Sequence, residues 1–292
     1  MKTIKTIISI SFLSLLLACN NEEKADGYGN FEATEITVSA EAKGRLQFLK
    51  VEEGQLLKKG ETLGLIDTLQ LFLTKQQLLA KKATIASKSG GVLTQIDVLK
   101  EELKNAKTEQ QRVQNMFSEN AATEQQLDRA NSQVEVLQKK IKNVESQNAP
   151  IVQEGKAIDA QIDQIEDQIT KSKITNPISG IVLTKYAEPG EIASFGKPLY
   201  KIADLSQMEL RVYISETQLS NIKIGQEVTV KVDSGNGMKE YKGEINWISS
   251  TAEFTPKIIQ TKEERVNLVY AVKVVVENDG SLKIGMPGEM WM

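Results

Sequence analysis

The side chains that most often carry out chemistry in proteins are scarce in this chain of 292 residues. It contains no histidine and a single cysteine, Cys19. Histidine is the commonest general base, so its absence excludes Ser-His-Asp and Cys-His nucleophilic sites. The glycine-rich stretch before Pro198 is not a phosphate-binding loop, because this proline stands where a magnesium-binding Ser or Thr is needed. We therefore expect no enzyme, no cofactor and no metal site.

Cys19 ends an N-terminal targeting segment. Two lysines precede an apolar run over residues 7–17, which has the length of a secretory signal and is too short to span a membrane. The run ends in Leu16-Leu17-Ala18-Cys19, which resembles the lipobox of bacterial lipoproteins. The resemblance implies cleavage before Cys19 and a lipid on its sulfur; the alternative is an ordinary signal peptide with a chance cysteine. We expect a signal peptide over residues 1–18 and a lipidated leader over 19–30.

A repeat of glycines and aliphatic residues frames the middle of the chain. The members of the first copy are Gly44, Gly54, Gly60, Leu63 and Ile66, and they recur with the same spacing as Gly180, Gly190, Gly196, Leu199 and Ile202. The glycines separate short apolar runs, which is a β-hairpin pattern. A unit that occurs twice indicates one small β-domain cut in two. We place its first half, with an entry strand over 31–38, at residues 31–67 and its second half at 174–204.

About a hundred residues of helical heptads separate the two halves. Leu71, Leu78, Ile85, Val92, Leu99, Ala106 and Val113 recur every seven residues, and a second stripe extends from Leu127 to Ile169. A turn near residues 118–122 brings the two helices together antiparallel. Thr123 followed by Gln126 predicts a capping box at the start of the returning helix. The pattern predicts an α-helical coiled-coil hairpin over residues 68–173.

Each helix of the predicted hairpin contains a helix breaker. Gly90 and Gly91 interrupt the outgoing helix, and Pro150 interrupts the returning one. In a helix interior, glycine costs about 1 kcal/mol and proline about 3 kcal/mol relative to alanine. Antiparallel pairing about a turn near residue 120 places these breakers at the same height. We interpret them as a joint, either a kink or a short non-helical segment; the alternative is two independent flaws that the hairpin tolerates.

Residues 205–292 contain several short alternating strands separated by turn signals, which is typical of a small β-barrel. The whole chain is therefore predicted to have an α+β fold, with a split β-domain, an inserted coiled-coil hairpin and a following barrel. The net charge is -3 and no basic stripe is present, which argues against nucleic acid as a partner.

The order of these modules is similar to that of the HlyD-family periplasmic adaptor subunits, or membrane fusion proteins. The stretch from Glu253 to Val272 resembles their YbhG-like subgroup, which is associated with ABC-2-type exporters. The resemblance implies that the split β-domain is biotinyl/lipoyl-like. It also implies a homo-oligomer, commonly a hexamer, that joins an inner-membrane ABC-type exporter to a TolC-type outer-membrane channel. The protein would then be periplasmic and anchored to the inner membrane by its lipid.

The hairpin tip of that family carries an arginine, an aliphatic residue and a serine. Arg112, Met116 and Thr123 occupy these places here, so Met and Thr stand where the family has Leu and Ser. The resemblance implies that these three residues bind the outer-membrane channel. The alternative is that Met116 only completes the hairpin core and Thr123 only caps a helix.

Two other functions stay open at this point. The protein could be a structural lipoprotein spacer without a transport partner. It could also be a biotin or lipoate carrier domain of a transferase, because the half-repeat resembles such domains. A carrier needs a lysine where its two halves join, and Asp67-Thr68-Leu69 offers none.

Overall fold

The computed structural model describes residues 24–235, 237–254 and 268–292. The predicted signal peptide and Cys19 lie outside these residues, as does most of the stretch between Glu253 and Val272. No helix in the described part of the chain combines the length and the apolar character that a membrane crossing requires.

The chain forms two β-domains and a long helical hairpin. In chain order the strands are β1 (Gly27–Glu32), β2 (Glu35–Ser39), β3 (Gly44–Leu49), β4 (Leu56–Leu57), β5 (Thr62–Ile66), β6 (Lys173–Thr175), β7 (Gly180–Lys185), β8 (Ile192–Ala193), β9 (Pro198–Ala203), β10 (Gln207–Ser215), β11 (Glu227–Ser234), β12 (Gly237–Ile248), β13 (Glu253–Phe254), β14 (Leu268–Glu277) and β15 (Pro287–Trp291). The helices are α1 (Leu69–Ser118), α2 (Glu124–Lys171) and the short α3 (Glu216–Leu219).

The split β-domain is made of two four-stranded sheets. Their strand orders are β2-β9-β7-β4 and β6-β5-β3-β8, so each sheet contains strands from both halves of the repeat. The repeated residues Leu63 and Leu199 are buried in one shared core. Neither half can bury its apolar face alone, which confirms the prediction of one domain cut in two. Gly54 and Gly190 have φ angles of 82° and 95°, a conformation that favours glycine and explains why the repeat keeps it.

The insertion between the halves is an antiparallel pair of helices. Ile85 packs against Ile158 and Ile162, and Ile96 packs against Ile141 and Val144. These contacts are the heptad layers that the sequence predicts, and they form the buried hairpin seam. Because α1 has 50 residues and an α-helix rises 1.5 Å per residue, the hairpin is about 75 Å long.

The second β-domain is a closed barrel that includes the N-terminal strand. Its order is β10-β1-β15-β11-β12-β14, and β14 pairs back onto β10. The core contains Phe31, Leu210, Val230 and Met290, all shielded from solvent. β13 pairs with Leu268 and Val269 at the start of β14, beyond the residues of β14 that pair with β12. Since β1 closes the barrel between β10 and β15, the chain passes through this domain before and after it builds the split domain and the hairpin.

The entry strand predicted over residues 31–38 is wrong. Phe31 lies in β1 of the barrel, whereas β2 of the split domain begins at Glu35. The predicted leader also ends too late, because β1 begins at Gly27. The physical reason is burial: Phe31 fills the barrel core, and the chain must bend after it to reach a different sheet. Alternating polarity along the sequence does not reveal that two short strands belong to two domains.

Candidate functional site

The hairpin reverses within a tight turn between α1 and α2. The Ala121 N–H donates to the Met116 carbonyl at 2.7 Å, and Asn120 adopts a φ angle of 59°. The Thr123 N–H donates to Gln126 Oε1 at 2.8 Å, and the Gln126 N–H donates to Thr123 Oγ1 at 3.3 Å. The predicted capping box is therefore confirmed, and it fixes the first turn of α2.

Arg112 lies on the outside of α1, one and a half turns before this reversal. Its side chain is 69% exposed, and Nη2 contacts Glu109 Oε2 at 2.5 Å. The hydrogen bond to Glu109 raises the pKa of the Arg112 guanidinium, so the side chain stays charged at any physiological pH. Because exposed ion pairs contribute little to stability, Arg112 is not required for folding.

A groove of about 460 Å³ opens between the two helices at the tip. Its lining residues, which define the tip groove, are Glu109, Arg112, Val113, Met116, Ala122, Gln126, Arg129, Ala130 and Gln133. Met116 is 41% exposed, so an apolar side chain and a cationic one are presented together. The structure thus brings Arg112 and Met116 into one site. Thr123 is not among the lining residues; it shapes the site through its helix cap.

The second arginine of the tip groove, Arg129, was missed by the sequence analysis. The chain has five arginines, and Arg112 and Arg129 are the two that the hairpin contains; its other cations are lysines. Arg129 is exposed and forms no ion pair with any residue that the structure describes. Antiparallel pairing about a turn near residue 120 would have placed it opposite Arg112. A guanidinium presents several directional donors, which suits carbonyl or carboxylate acceptors on a partner.

The helix breakers lie at one height, as the antiparallel pairing predicts. The Ser89 hydroxyl, next to Gly90, donates to Asn148 Oδ1 across the seam at 2.8 Å. Both helices nevertheless continue through this level, since α1 includes Gly90 and Gly91 and α2 includes Pro150. The predicted non-helical segment is therefore not present. Bending at this level stays a prediction, supported by a polar contact that replaces an apolar layer.

Removing the breakers is expected to stabilise the hairpin. A side chain added at Gly90 or Gly91 meets no atom within 4 Å, so alanine at both positions adds helix propensity without a clash. We expect a gain of about 1 kcal/mol for each glycine and about 3 kcal/mol for Pro150→Ala. Circular dichroism during thermal unfolding measures this gain. Gln77→Ala, an exposed change in the same helix, is the control; equal melting of all variants would argue against a joint.

Two family models together match nearly all of the described chain. The model described as "RND MFP, barrel-sandwich hybrid domain" matches residues 34–205, which is more than half of the chain and includes the split domain and the hairpin. The model described as "YknX-like beta-barrel domain" matches residues 208–290. The first match does not include β1, which the structure assigns to the barrel.

Two relatives match the chain over different lengths. A UPF0194 membrane protein of Acidithiobacillus ferridurans is 28% identical over 286 residues, which cover 89% of this chain and 84% of that protein. A UPF0194 membrane protein of Yersinia pseudotuberculosis is 39% identical over 112 residues, but these cover only 38% of this chain and 34% of the relative.

Solved structures show the same fold. MacA from Actinobacillus actinomycetemcomitans superposes with a TM-score of 0.62 at 24% identity, covering 90% of this chain and 76% of that one. The membrane fusion protein Spr0693 from Streptococcus pneumoniae R6 superposes with a TM-score of 0.51 at 17% identity, covering 90% and 96%. The split β-domain with its inserted hairpin and the matching family model lead to one conclusion: this chain belongs to the membrane fusion proteins, the HlyD-type family of periplasmic adaptor subunits.

Proposed function

We propose that this protein is the periplasmic adaptor of a tripartite efflux or secretion system. It joins an inner-membrane exporter of the ABC type to a TolC-type outer-membrane channel and catalyses no reaction itself. The observation that carries the proposal is the tip groove. An exposed arginine pair and an exposed methionine stand at the end of a hairpin about 75 Å long, where the fold does not require them.

The opposite end of the hairpin suits attachment near a membrane. β1 begins at Gly27, only eight residues after Cys19, and it is held between two barrel strands. A lipid on Cys19 therefore keeps the barrel close to the bilayer, since so short a leader spans less than about 30 Å when extended. The hairpin tip is then the part that reaches across the periplasm. The proposal includes a homo-oligomer, with the six copies that the family resemblance implies.

The structural spacer explains the tip less well than the adaptor does. A spacer needs a stable hairpin, and the capping box and heptad layers already supply that stability. It has no use for an open groove with two arginines. The carrier domain also explains the structure less well. A carrier would present its lysine at the end of the first half of the split domain, whereas here α1 begins at this point and Asp67 Oδ1 accepts a hydrogen bond from the Leu69 N–H at 2.9 Å.

A crosslinked pull-down of the tagged full-length protein tests the proposal. Intact cells are treated with a reversible crosslinker, the membranes are dissolved in detergent, and captured proteins are identified by mass spectrometry. We expect an inner-membrane ABC-type exporter and an outer-membrane channel, each enriched over a strain with the untagged protein. Capture of neither partner would favour the structural spacer.

Cys19→Ser is expected to release the protein from the membrane. Stable anchoring takes two or more acyl chains, and the loss of the sulfur removes the attachment point of the diacylglycerol. The variant should remain unprocessed or become soluble, without incorporating labelled palmitate. Asn21→Ser, two residues away, is the control and should incorporate palmitate as the wild type does. Normal processing and membrane retention of Cys19→Ser would contradict lipid anchoring.

A further inference from the structure

A groove of about 550 Å³ lies on the outer wall of the barrel, where β1, β15 and β11 are neighbours. We call it the wall groove. Its apolar and aromatic lining includes Tyr28, Tyr213 and Met238, and the first and last of these are 55% and 44% exposed. Sites for small ligands typically have volumes of about 300–1,000 Å³ and combine such side chains with a few polar groups. The wall groove therefore has the size and the lining of a ligand site, and it is separate from the tip groove.

The strand alternation places a row of side chains beside this groove. The core-facing residues of the barrel strands alternate with residues that point outward. Tyr28 is directly opposite Tyr213 on one side and Glu289 on the other, and Glu289 is opposite Lys231. Side chains that are directly opposite across a sheet have Cβ atoms about 5 Å apart. The two rings and the two charged groups are therefore neighbours on the outside of the barrel.

Three charged side chains line the wall groove, namely Lys231, Asp233 and Glu289. Lys231 Nζ contacts Glu240 Oε1 at 3.0 Å and lies 4.5 Å from the centre of the Trp291 ring. Glu289 Oε2 accepts a hydrogen bond from the Trp291 ring N–H at 3.1 Å. Asp233 is exposed and forms no ion pair within the described part of the chain. A ligand that suits this lining carries an anionic group for the lysine, a cationic group for the carboxylates and an apolar part.

The N-terminal leader places the wall groove near the proposed membrane anchor. Tyr28 follows Cys19 by nine residues, so it lies within about 30 Å of a lipid on that cysteine. Tyr and Trp are enriched at membrane–water interfaces, where their rings contact apolar groups and their polar ends stay hydrated. Of the chain's six Tyr and two Trp residues, Tyr28, Tyr213 and Trp291 lie in or beside this groove. A membrane phospholipid is therefore within reach of the groove.

We propose that the wall groove binds a zwitterionic phospholipid of the membrane that holds the lipid anchor. The phosphate of this phospholipid pairs with Lys231, its ammonium group donates to Asp233 and Glu289, and one acyl chain lies along Tyr28 and Met238. The proposal rests on the proposed function in one respect, namely the lipid tether that brings the groove to the bilayer. Both charges of the lipid have partners here, so a phospholipid without the ammonium group binds less tightly.

A phospholipid in the wall groove gives the barrel a second attachment to the membrane. The leader is the first, and a single point of attachment leaves a domain free to rotate about it. The second binding event is intramolecular, so a weak contact suffices once the tether is in place. Two attachments together keep the barrel in one orientation to the bilayer.

Counting bound lipids tests the charged part of the site. Full-length protein in an uncharged detergent is mixed with phosphatidylethanolamine, and bound lipid is counted by native mass spectrometry. We expect about one lipid per chain, bound about tenfold less tightly by Lys231→Gln and by Asp233→Asn, since each change removes a hydrogen bond between charged groups. Lys242→Gln alters an exposed lysine of β12 outside the groove, and it should bind as the wild type does. Asp233→Asn removes no ion pair of the described chain, so its fold should be unaffected.

Phosphatidylglycerol is the matched lipid for the same measurement. It has the same phosphate and acyl chains but no ammonium group, so we expect it to bind about tenfold less tightly. Equal binding of the two lipids, equal binding by Asp233→Asn and the wild type, or no binding of either lipid would overturn the proposal. A peptide as the true ligand would give the last of these results.

A photoreactive acyl chain locates the bound lipid. Phosphatidylethanolamine with a diazirine on one acyl chain is placed in nanodiscs with the full-length protein. Irradiation should label the peptides that contain Tyr28 or Met238. It should not label Trp247, which is 40% exposed on β12 and does not line the groove. Equal labelling at Trp247 would contradict a specific site. Neither lipid measurement needs the exporter or the channel, so capture of both partners by a chain that binds no lipid would refute this inference alone.

Discussion

Arg112→Asp is expected to abolish export and capture of the outer-membrane channel, while the protein stays folded, abundant and self-associated. The side chain is 69% exposed and outside the seam, so the change costs the fold little. At an interface, by contrast, truncation of a central arginine costs about 2 kcal/mol or more, which is roughly a 30-fold loss of affinity. Charge reversal replaces one of the two arginines of the tip groove by a carboxylate and places it next to Glu109, so the cationic character of the groove is lost.

The matched control for this variant is Lys104→Asp. Lys104 pairs with Glu101 three residues before it, just as Arg112 pairs with Glu109, and both cations are exposed on α1. Lys104 does not line the tip groove, so its reversal should leave export unchanged. Glu109 would be a poor control, because it holds Arg112 and lines the same groove. Equal export by Arg112→Asp and the wild type would show that the hairpin is only a spacer.

Gly29→Ala is expected to destabilise the barrel by about 3 kcal/mol. Gly29 lies in the middle of β1, opposite Val212 of β10 and Gly288 of β15. A methyl group there would overlap the backbone carbonyl of Arg211, which cannot move without breaking the ladder. Overpacking of this kind typically costs 1–3 kcal/mol. Since β1 closes the barrel and follows the proposed lipid attachment site in the chain, its release would separate the barrel from that proposed anchor.

Gly27→Ala on the same strand is the control for this prediction. Its added methyl group would lie 3.2 Å from Ile214 Cγ2, a side-chain atom that can shift. We therefore expect a much smaller change in melting temperature, measured by circular dichroism on the full-length protein. Similar melting of the two variants would mean that β1 is not a rigid part of the barrel.

The repeat and the heptads were the features that sequence could predict best. Leu63 and Leu199 occupy equivalent places in the two halves of the repeat, and both lie in one core. The same side chains recur at the same spacing because the two halves have the same backbone geometry. The capping box at Thr123 is likewise local, since its two hydrogen bonds join residues three apart. Both kinds of prediction depend only on neighbours along the chain.

The features that sequence reasoning missed depend on contacts between distant segments. β1 joins the barrel through β10 and β15, which lie some 180 and 260 residues away in the chain. Arg112 and Arg129 line the same tip groove because the antiparallel register of the hairpin brings α1 and α2 together there. No local sequence motif links the two arginines. Gly90, Gly91 and Pro150 remain helical because packing across the seam outweighs their poor helix propensity.

Site-specific photo-crosslinking from Met116 tests the central claim most directly. A photoreactive amino acid replaces Met116 in the tip groove, and a second strain carries it at Val136, an equally exposed position on α2 away from the groove. After irradiation of exporting cells, the adaptor account predicts an adduct between Met116 and an outer-membrane channel protein, and none from Val136. Absence of a channel adduct from Met116, or equal adducts from both positions, would contradict it.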